Sequence, residues 1–450
     1  MRKKHRTFTG GVCLSEDWKE LSKDKHIEAA PLPDVVSILM SQHIGAPCKP
    51  VVSKGDLVKK GQIVGQTQGY VSANAHASIC GKVVDIQQKP HPATGVLVPA
   101  VTIKREGDDV WAEGTNETSD TDTLTPQEIK TRIEAAGMVG LGGATFPTHV
   151  KLSPPKDKPI DTIILNGAEC EPYLTCDYRL MMEKPNEIIQ GLRFIIKAVG
   201  CKNACIGIEA NKPDAYELMK NACNGESNIS IDMLEEKYPQ GAEHQLIKAL
   251  LGREFRATQL PMEVGCIVHN VGTAQAIYEA VTFNRPLVER VISITGNGVQ
   301  TPMNLSVRIG SPVKPLLERA GILPGINKVI FGGPMMGIAQ DNIDEAVVLK
   351  GTGGILVLKD AEVLTPHQCI RCGRCILACP YGLNPSELSI LGETKAFDAS
   401  MQANVLECKE CGCCTFVCPS RRPIVHLIRF TKSELAKQKA SASGGAAKKG

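Results

Sequence analysis

Eighteen cysteines occur in 450 residues, and eight of them fall in two identical runs. The first is Cys369, Cys372, Cys375 and Cys379, followed by Pro380; the second is Cys408, Cys411, Cys414 and Cys418, followed by Pro419. One tight loop can offer three thiolates at two-residue gaps to a single four-iron, four-sulfur cubane. The fourth cysteine lies too far round that turn, and in two-cluster folds it ligates the other cubane. The spacing therefore predicts one cluster on Cys369, Cys372, Cys375 and Cys418, and another on Cys408, Cys411, Cys414 and Cys379. Cys413 is left without a ligand role. Proline after each fourth cysteine removes a competing backbone N–H and turns the chain away. Zinc is the alternative, but it takes four ligands, usually in two pairs with a longer gap, which the duplicated run does not offer.

Cubanes carry single electrons, so a place of electron entry is the next requirement. Gly137, Gly140, Gly142 and Gly143 fall within the segment ending Thr145-Phe146-Pro147, and Lys151 follows. Backbone so free of side chains can aim its N–H groups at a phosphate. The segment is not the dinucleotide fingerprint, because Thr145 stands where a third glycine belongs and a predicted helix, not a strand, precedes it. A predicted strand, Ile160 to Leu165, then runs into Asn166, Glu169 and Glu171, with Pro172 setting the turn. Ligands gather at the carboxyl ends of parallel strands, and an amide with two carboxylates can bond a flavin ring or a ribose. A plain flexible loop and a solvated acidic turn are the alternatives for these two segments. Cys170, Cys176, His149 and His244 flank them and read as scaffold, since hydride transfer to a flavin needs neither acid nor base.

The elements that must position these residues are legible in outline. Val, Ile and Gly at short spacing over 30–105 predict small strands around glycine turns, including Pro50 to Gln62 and His76 to Ile86. The rhythm resembles the flattened barrel of biotinyl and lipoyl carrier domains. Its hairpin tip is Gln68-Gly69-Tyr70-Val71, without the lysine a carrier needs, so a structural or docking role is expected. Residues 107–123 are polar and acidic, as in a linker. Thr125-Pro126-Gln127-Glu128 is a capping box with proline at the first helical position, and the helix should stop at Gly137. Strand candidates at Ala204 to Glu209 and Ile229 to Met233, with a helix over Pro185 to Val199 between strands, predict a mainly parallel α/β layer. Strands at Val291 to Gly296 and Gly351 to Leu358, with a helix over Pro312 to Ala320, predict a small α+β unit. The interval from Pro385 to Cys408 has near-helical apolar spacing, so the cluster region should be helical.

Composition narrows the classes further. The net charge is +3, with 51 basic and 48 acidic residues, which makes no electrostatic case for nucleic acid. No run of about 18 apolar residues exists to span a bilayer. No apolar signal core follows the basic Met1 to His5. The reading is a cytoplasmic chain with mostly reduced thiols that can still dock on a membrane protein.

Gly140 to Leu152 followed by Asn166 to Pro172 resembles the flavin-bearing, NADH-oxidising subunit of respiratory complex I. The whole order is closer to the C subunit family of the Rnf complex, and Lys237 to Glu243 and Gly332 to Gly337 share in that resemblance. It implies a multidomain α/β chain. A carrier-like β-barrel would cover 1–106 and a linker 107–123. A Rossmann-like FMN and NADH domain would cover 124–285, a β-grasp domain 286–361 and an α-helical two-cluster ferredoxin domain 362–432, leaving a disordered tail over 433–450. It implies FMN on Gly140, Gly142, Gly143, Thr145, Lys151 and Asn166, with Lys151 near the phosphate. Glu171 and Glu243 would surround the nicotinamide and its ribose, Glu169 would be a further cofactor-binding residue, and Phe146 would stack on NADH. Leu141 and Ala168 depart from the complex I pattern, which has arginine and aspartate there, and that relative carries one cluster where this chain has two. The function implied is electron transfer between NAD(H), FMN and two [4Fe–4S] clusters in ferredoxin:NAD oxidoreduction coupled to ion transport. The chain would sit peripherally on the cytoplasmic face of the cell membrane, against other Rnf subunits and indirectly ferredoxin. A soluble flavin and iron–sulfur cobalamin reductase, or a relay without catalysis, are the alternatives.

Overall fold

The computed structural model describes residues 5–359, 361–362 and 365–446. The chain begins as a strap. Arg6 bridges to Leu234 and Val12 to Tyr238, both in the central domain. Strand β1 (Ile27–Ala29) then joins a sheet built from residues near 300. The barrel expected over 1–106 therefore starts only at β2. The strap has too few apolar residues for a core of its own; it buries Phe8 and Val12 against surfaces that already exist.

Strands β2 (Val35–Leu39), β3 (Lys49–Pro50), β4 (Leu57–Val58), β5 (Ile63–Gln66), β6 (Ala75–His76), β7 (Gly81–Pro90) and β8 (Leu97–Arg105) form two sheets, β2-β8-β7-β4 and β3-β5-β6. Alternation along them buries Val36, Ile38, Val64, Ile79, Val83 and Ile103 between the sheets. The segment read as a linker is docked. Trp111 bridges to Lys60, and the Ser119 amide donates to the Thr282 carbonyl at 3.1 Å.

The central domain opens with α1 (Pro126–Ala135). The Thr125 side chain accepts from the Glu128 amide while the Glu128 carboxylate accepts from the Thr125 amide, closing the capping box. Helix α2 (Thr148–Lys151), β9 (Thr162–Gly167), α3 (Cys176–Glu183), α4 (Pro185–Val199), β10 (Asn203–Glu209), α5 (Pro213–Ala222), β11 (Ile229–Leu234), α6 (Glu243–Leu251), β12 (Cys266–Asn270) and α7 (Val271–Phe283) follow. The four strands are parallel in the order β11-β10-β9-β12. From β9 the chain winds outward to β10 and β11, then returns to the other side of β9 at β12. The winding thus reverses between β9 and β12, and the carboxyl ends of strands at such a reversal are where open α/β sheets hold ligands in a crevice.

A six-stranded mixed sheet comes next, from β13 (Glu289–Thr295), β14 (Met303–Arg308), β15 (Ile326–Phe331), β16 (Ile338–Gln340) and β17 (Gly354–Lys359), with β1 on its edge and α8 (Val313–Ala320) packed against it. The C-terminal region is helical: α9 (Arg374–Ala378), α10 (Pro385–Glu393), α11 (Phe397–Gln402), α12 (Cys413–Phe416) and α13 (Ile424–Ala446). Helix α13 corrects the expected disordered tail from 433 to 446. Its Ala, Lys and Ser content is low in apolar area but compatible with helix, Ile424 and Ile428 bury its first turns, and Leu435 extends the packing. Residues 447–450 of that tail lie outside the described residues. Among the described residues, no helix is long and apolar enough to cross a membrane.

Candidate functional site

The crevice between β9 and β12 collects the polar residues singled out by sequence. Asn166, at the end of β9, donates Nδ2 to the Gly241 carbonyl at 2.8 Å, and its Oδ1 accepts from the Ala168 amide at 3.1 Å. Lys151 Nζ reaches the Val268 carbonyl of β12 at 3.0 Å and Glu243 Oε1 at 3.4 Å. Asn270 ends β12 and supports Gly142, where an added Cβ would come within 3.2 Å of the Asn270 Cβ. Lys151, Asn166, Glu243 and the glycine loop therefore meet at one edge.

The loop is fixed at its ends and open in the middle. The Gly140 amide donates to the Phe146 carbonyl at 2.9 Å, and the Leu141 amide to Thr273 Oγ1 at 2.9 Å. Gly142, Gly143 and Ala144 stay exposed, while Thr145 and Phe146 are half-buried. A Cβ at Gly143, whose φ is +100°, would meet nothing within 4 Å, so the loop faces open space there and it is the backbone angle that favours glycine. Beside Lys151, His269 is buried with Nε2 unpartnered. Burial, then the Lys151 charge, pushes its pKa down to about 3, so the imidazole is neutral. Exposed amides, one ammonium and an unsatisfied neutral imidazole suit a phosphorylated ring cofactor such as FMN.

Two carboxylates expected at the nucleotide are engaged elsewhere. Glu169 accepts from the Asp177 and Tyr178 amides at 2.6 and 3.2 Å, capping α3, with Lys19 Nζ at 4.0 Å. Burial drives its pKa up to about 7. Glu171 accepts from the Met335 and Met336 amides at 3.1 and 2.8 Å, and burial raises it to about 6. A Cβ on Gly333 would lie 2.2 Å from Glu171 Oε2, so the Gly332 to Gly337 turn closes directly over this carboxylate. Glu171 thereby clamps two loops together, whereas the resemblance implies a carboxylate on the nicotinamide side. The reason is tertiary: the six-stranded sheet brings backbone donors from a distant turn to a carboxylate that sequence places at a strand end.

The cysteines assemble in two groups that cross between the motifs. Cys369, Cys372, Cys375 and Cys418 line one cavity of about 310 Å³. Cys379, Cys408, Cys411 and Cys414 form the other group; burial raises the Cys379, Cys408 and Cys414 thiols, and neighbouring cysteines add to it. Ligation of a cluster requires these thiols to give up their protons. The two loops repeat each other. Arg371 and Glu410 have φ of 56° and 59°, their amides donate to Cys369 and Cys408 Sγ at 3.4 and 3.3 Å, and Gly373 and Gly412 follow at 75° and 87°. Cys413 is fully buried with Sγ 3.8 Å from the Tyr238 carbonyl.

Sequence reasoning missed the residues that join these sites. Tyr238 donates its hydroxyl to the Cys411 carbonyl at 2.8 Å. Arg290, buried on β13, donates to the Lys350 carbonyl at 2.5 Å and to the Leu141 carbonyl at 3.4 Å, bracing the glycine loop from behind. Asn270-Val271-Gly272 after a strand was a readable signal for a second polar group at the crevice; Arg290 and Lys350 gave none. Cys170 accepts from the Gly241 amide at 3.3 Å, and His244 stacks on Phe255, both as scaffold.

Comparison with known proteins bears on these sites. The Nuo51 FMN-binding domain family matches residues 133–279, the RnfC barrel sandwich hybrid domain family residues 6–108, and the 4Fe-4S binding domain family residues 363–383. The chain is 47% identical to the C subunit of the proton-translocating ferredoxin:NAD(+) oxidoreductase complex of Clostridium ljungdahlii, over 95% of this chain and 94% of that one. It is 42% identical to the C subunit of the Na(+)-translocating ferredoxin:NAD(+) oxidoreductase complex of Acetobacterium woodii, over 98% and 99%. Against the C subunit of the ion-translocating oxidoreductase complex of Rhodobacter capsulatus, identity is 39% over 96% of this chain and 84% of the relative.

Proposed function

The chain belongs to the RnfC family, the C subunits of ion-translocating ferredoxin:NAD oxidoreductase (Rnf) complexes, and from that premise we propose that it is the NAD(H)-facing electron-transfer subunit of such a complex. The glycine loop Gly140 to Thr145, Lys151 and Asn166 would hold FMN, with Glu243 and Phe146 toward NAD(H). FMN held there would supply the conversion between a hydride, which carries two electrons, and the single electrons that cubanes require. Cys369, Cys372, Cys375 and Cys418 would ligate one [4Fe–4S] cluster, and Cys379, Cys408, Cys411 and Cys414 the second. The family relation favours the complex over the soluble cobalamin reductase and the relay without catalysis.

One observation carries the reading. The seven residues Lys237 to Glu243 touch both sites: Gly241 and Glu243 meet Asn166 and Lys151, while Tyr238 meets Cys411 and Cys413. A single loop thus separates the flavin crevice from the Cys411 cluster, which becomes the nearer of the two, with the Cys372 cluster outside it. Lys151 and the loop amides neutralise phosphate charge, and the half-buried Phe146 shields the crevice from water. The test is stopped-flow reduction by NADH with freeze-quench EPR. In the wild type, flavin bleaching should precede reduction of both clusters. Cys411→Ser should leave flavin reduction intact and stop electrons there, whereas Cys372→Ser should still show the inner cluster reduced. Electrons reaching the outer cluster in Cys411→Ser would refute the order.

A further inference from the structure

The barrel supplies none of the residues above, yet its tip touches the glycine loop. Where a carrier would present a lysine, this chain presents Tyr70, 63% exposed. Its ring stands edge-on to His149 at 6.0 Å between centroids and 90° between planes, and its carbonyl lies 3.1 Å from His149 Nε2. His149 is buried on α2, the helix that also bears Lys151. A second barrel loop lies alongside. Ile44, 54% exposed, donates its amide to the carbonyl of Thr145, inside the glycine loop, at 3.4 Å.

The two barrel loops are braced. The Ala46 amide donates to the Val71 carbonyl at 2.9 Å, and Ser72 Oγ to the Ala46 carbonyl at 2.8 Å. A Cβ on Gly45, at φ +107°, would lie 2.1 Å from the Val71 carbonyl oxygen, so the approach needs glycine. Behind the tip, the buried ammonium of Lys350 donates to the Asn74 and Gly137 carbonyls at 2.7 and 2.8 Å, tying the barrel to the end of α1 and to the turn that leads into β17. An exposed aromatic and an exposed aliphatic side chain are therefore held in fixed places beside a phosphate-type loop. Neither contributes to the barrel core.

We propose that the barrel tip completes the dinucleotide site, with Tyr70, flanked by Ile44, forming the platform for the adenine end of NAD(H). The proposal rests on the reading of the glycine loop as the flavin and NAD(H) site. Only the nicotinamide reacts, so the adenylate half must rest outside the crevice, and a purine face gains from stacking on an exposed aromatic ring. Tyrosine suits this position because it brings large rigid area with little conformational freedom to lose.

The decisive measurement is calorimetric binding of ADP-ribose, which lacks nicotinamide, to the full chain loaded with FMN and clusters. Tyr70→Ala should weaken it roughly 5- to 50-fold, in the range of base–aromatic stacking. Tyr70→Trp should keep the wild-type affinity, and Ile44→Ser should lose about 2- to 5-fold, a smaller fraction of the same apolar contact. In parallel, Tyr70→Ala should raise KM for NADH while oxidation of reduced nicotinamide mononucleotide, which has no adenine, stays at the wild-type kcat/KM. Flavin and iron content should not change. ADP-ribose binding within about twofold of wild type in Tyr70→Ala would overturn the proposal, as would an equal loss with the mononucleotide. A wild-type chain that holds FMN but neither binds ADP-ribose nor oxidises NADH would overturn the underlying reading, and the proposal with it.

Discussion

At the scale of single residues, the two groups of cysteines and the two acidic residues make separable claims. Cys413 sits between two motif cysteines but points its sulfur at the Tyr238 carbonyl. Cys413→Ser is expected to keep iron and acid-labile sulfide at the wild-type ratio, because it removes packing and not a ligand. Cys418→Ser is expected to lose the EPR signal of the Cys369 cluster and keep that of the Cys411 cluster; the reverse loss would undo the crossover. Glu171 gives a sharper contrast. A ligand to the nucleotide would lose NADH affinity on conversion to glutamine, as the complex I resemblance implies. A clamp on the Met335 and Met336 amides would instead lose stability, at about 1.5–3 kcal/mol for a hydrogen bond to a charged group. Glu171→Gln is therefore expected to lower the denaturation midpoint while NADH affinity stays within about twofold of wild type. A roughly tenfold loss of NADH affinity with an unchanged midpoint would return this carboxylate to the nucleotide.

At the scale of elements, the amino end of α3 carries the clearest pH dependence. Glu169 caps it, yet its pKa in the folded chain is up to about 7 because burial disfavours the carboxylate more than two amides and Lys19 favour it. A folded pKa above the unfolded value means the folded state binds the proton more tightly. The stability so gained is full below the ordinary carboxylate range and is lost as pH rises through about 7. Burial raises Asp177 and Glu209 in the same direction. Melting temperatures should accordingly fall from about pH 4.5 to about 7. Glu169→Gln, which cannot ionise, should flatten the fall at a pH-independent cost, because the two amides meet different carboxylate oxygens and glutamine offers one. A variant that melts with a steeper decline would mean the ionised carboxylate stabilises α3.

At the scale of the whole molecule, the chain is a set of sites joined by loops that belong to neighbouring domains. The strap, the Tyr238 loop and the Gly332 to Gly337 turn converge between the carboxyl ends of β9 and β12 and the group of Cys379, Cys408, Cys411 and Cys414. Among the described residues, no helix is long and apolar enough to cross a bilayer. High salt or mild alkali is expected to release the chain from membranes of cells that contain the complex. Retention in membranes that lack the other Rnf proteins, with release only by detergent, would contradict peripheral attachment. Relatives named for protons and for Na(+) are similar to this chain at 47% and 42% identity, so overall likeness does not separate the two ions.

The sequence by itself determined whatever depends on local spacing. The two cysteine runs, the capping box at Thr125, the end of α1 at Gly137, and helix α4 from Pro185 to Val199 follow from short-range rules, because a turn or a helical face is set by residues a few positions apart. The gathering of Lys151, Asn166 and Glu243 was legible through a resemblance together with the rule that strand ends hold ligands. What only the tertiary structure decided is which polar groups arrive from elsewhere. Glu171 looked free until a turn 164 residues away closed on it, and Tyr70 looked like an ordinary tip residue until α2 came beneath it. Arg290, on β13, and Lys350, in the turn before β17, are single basic residues beside apolar ones, and no local pattern marks the carbonyls they find. Hydrogen-bond satisfaction of a buried group is a property of all the chain that surrounds it, and sequence order does not contain that neighbourhood until the sheets and helices have packed.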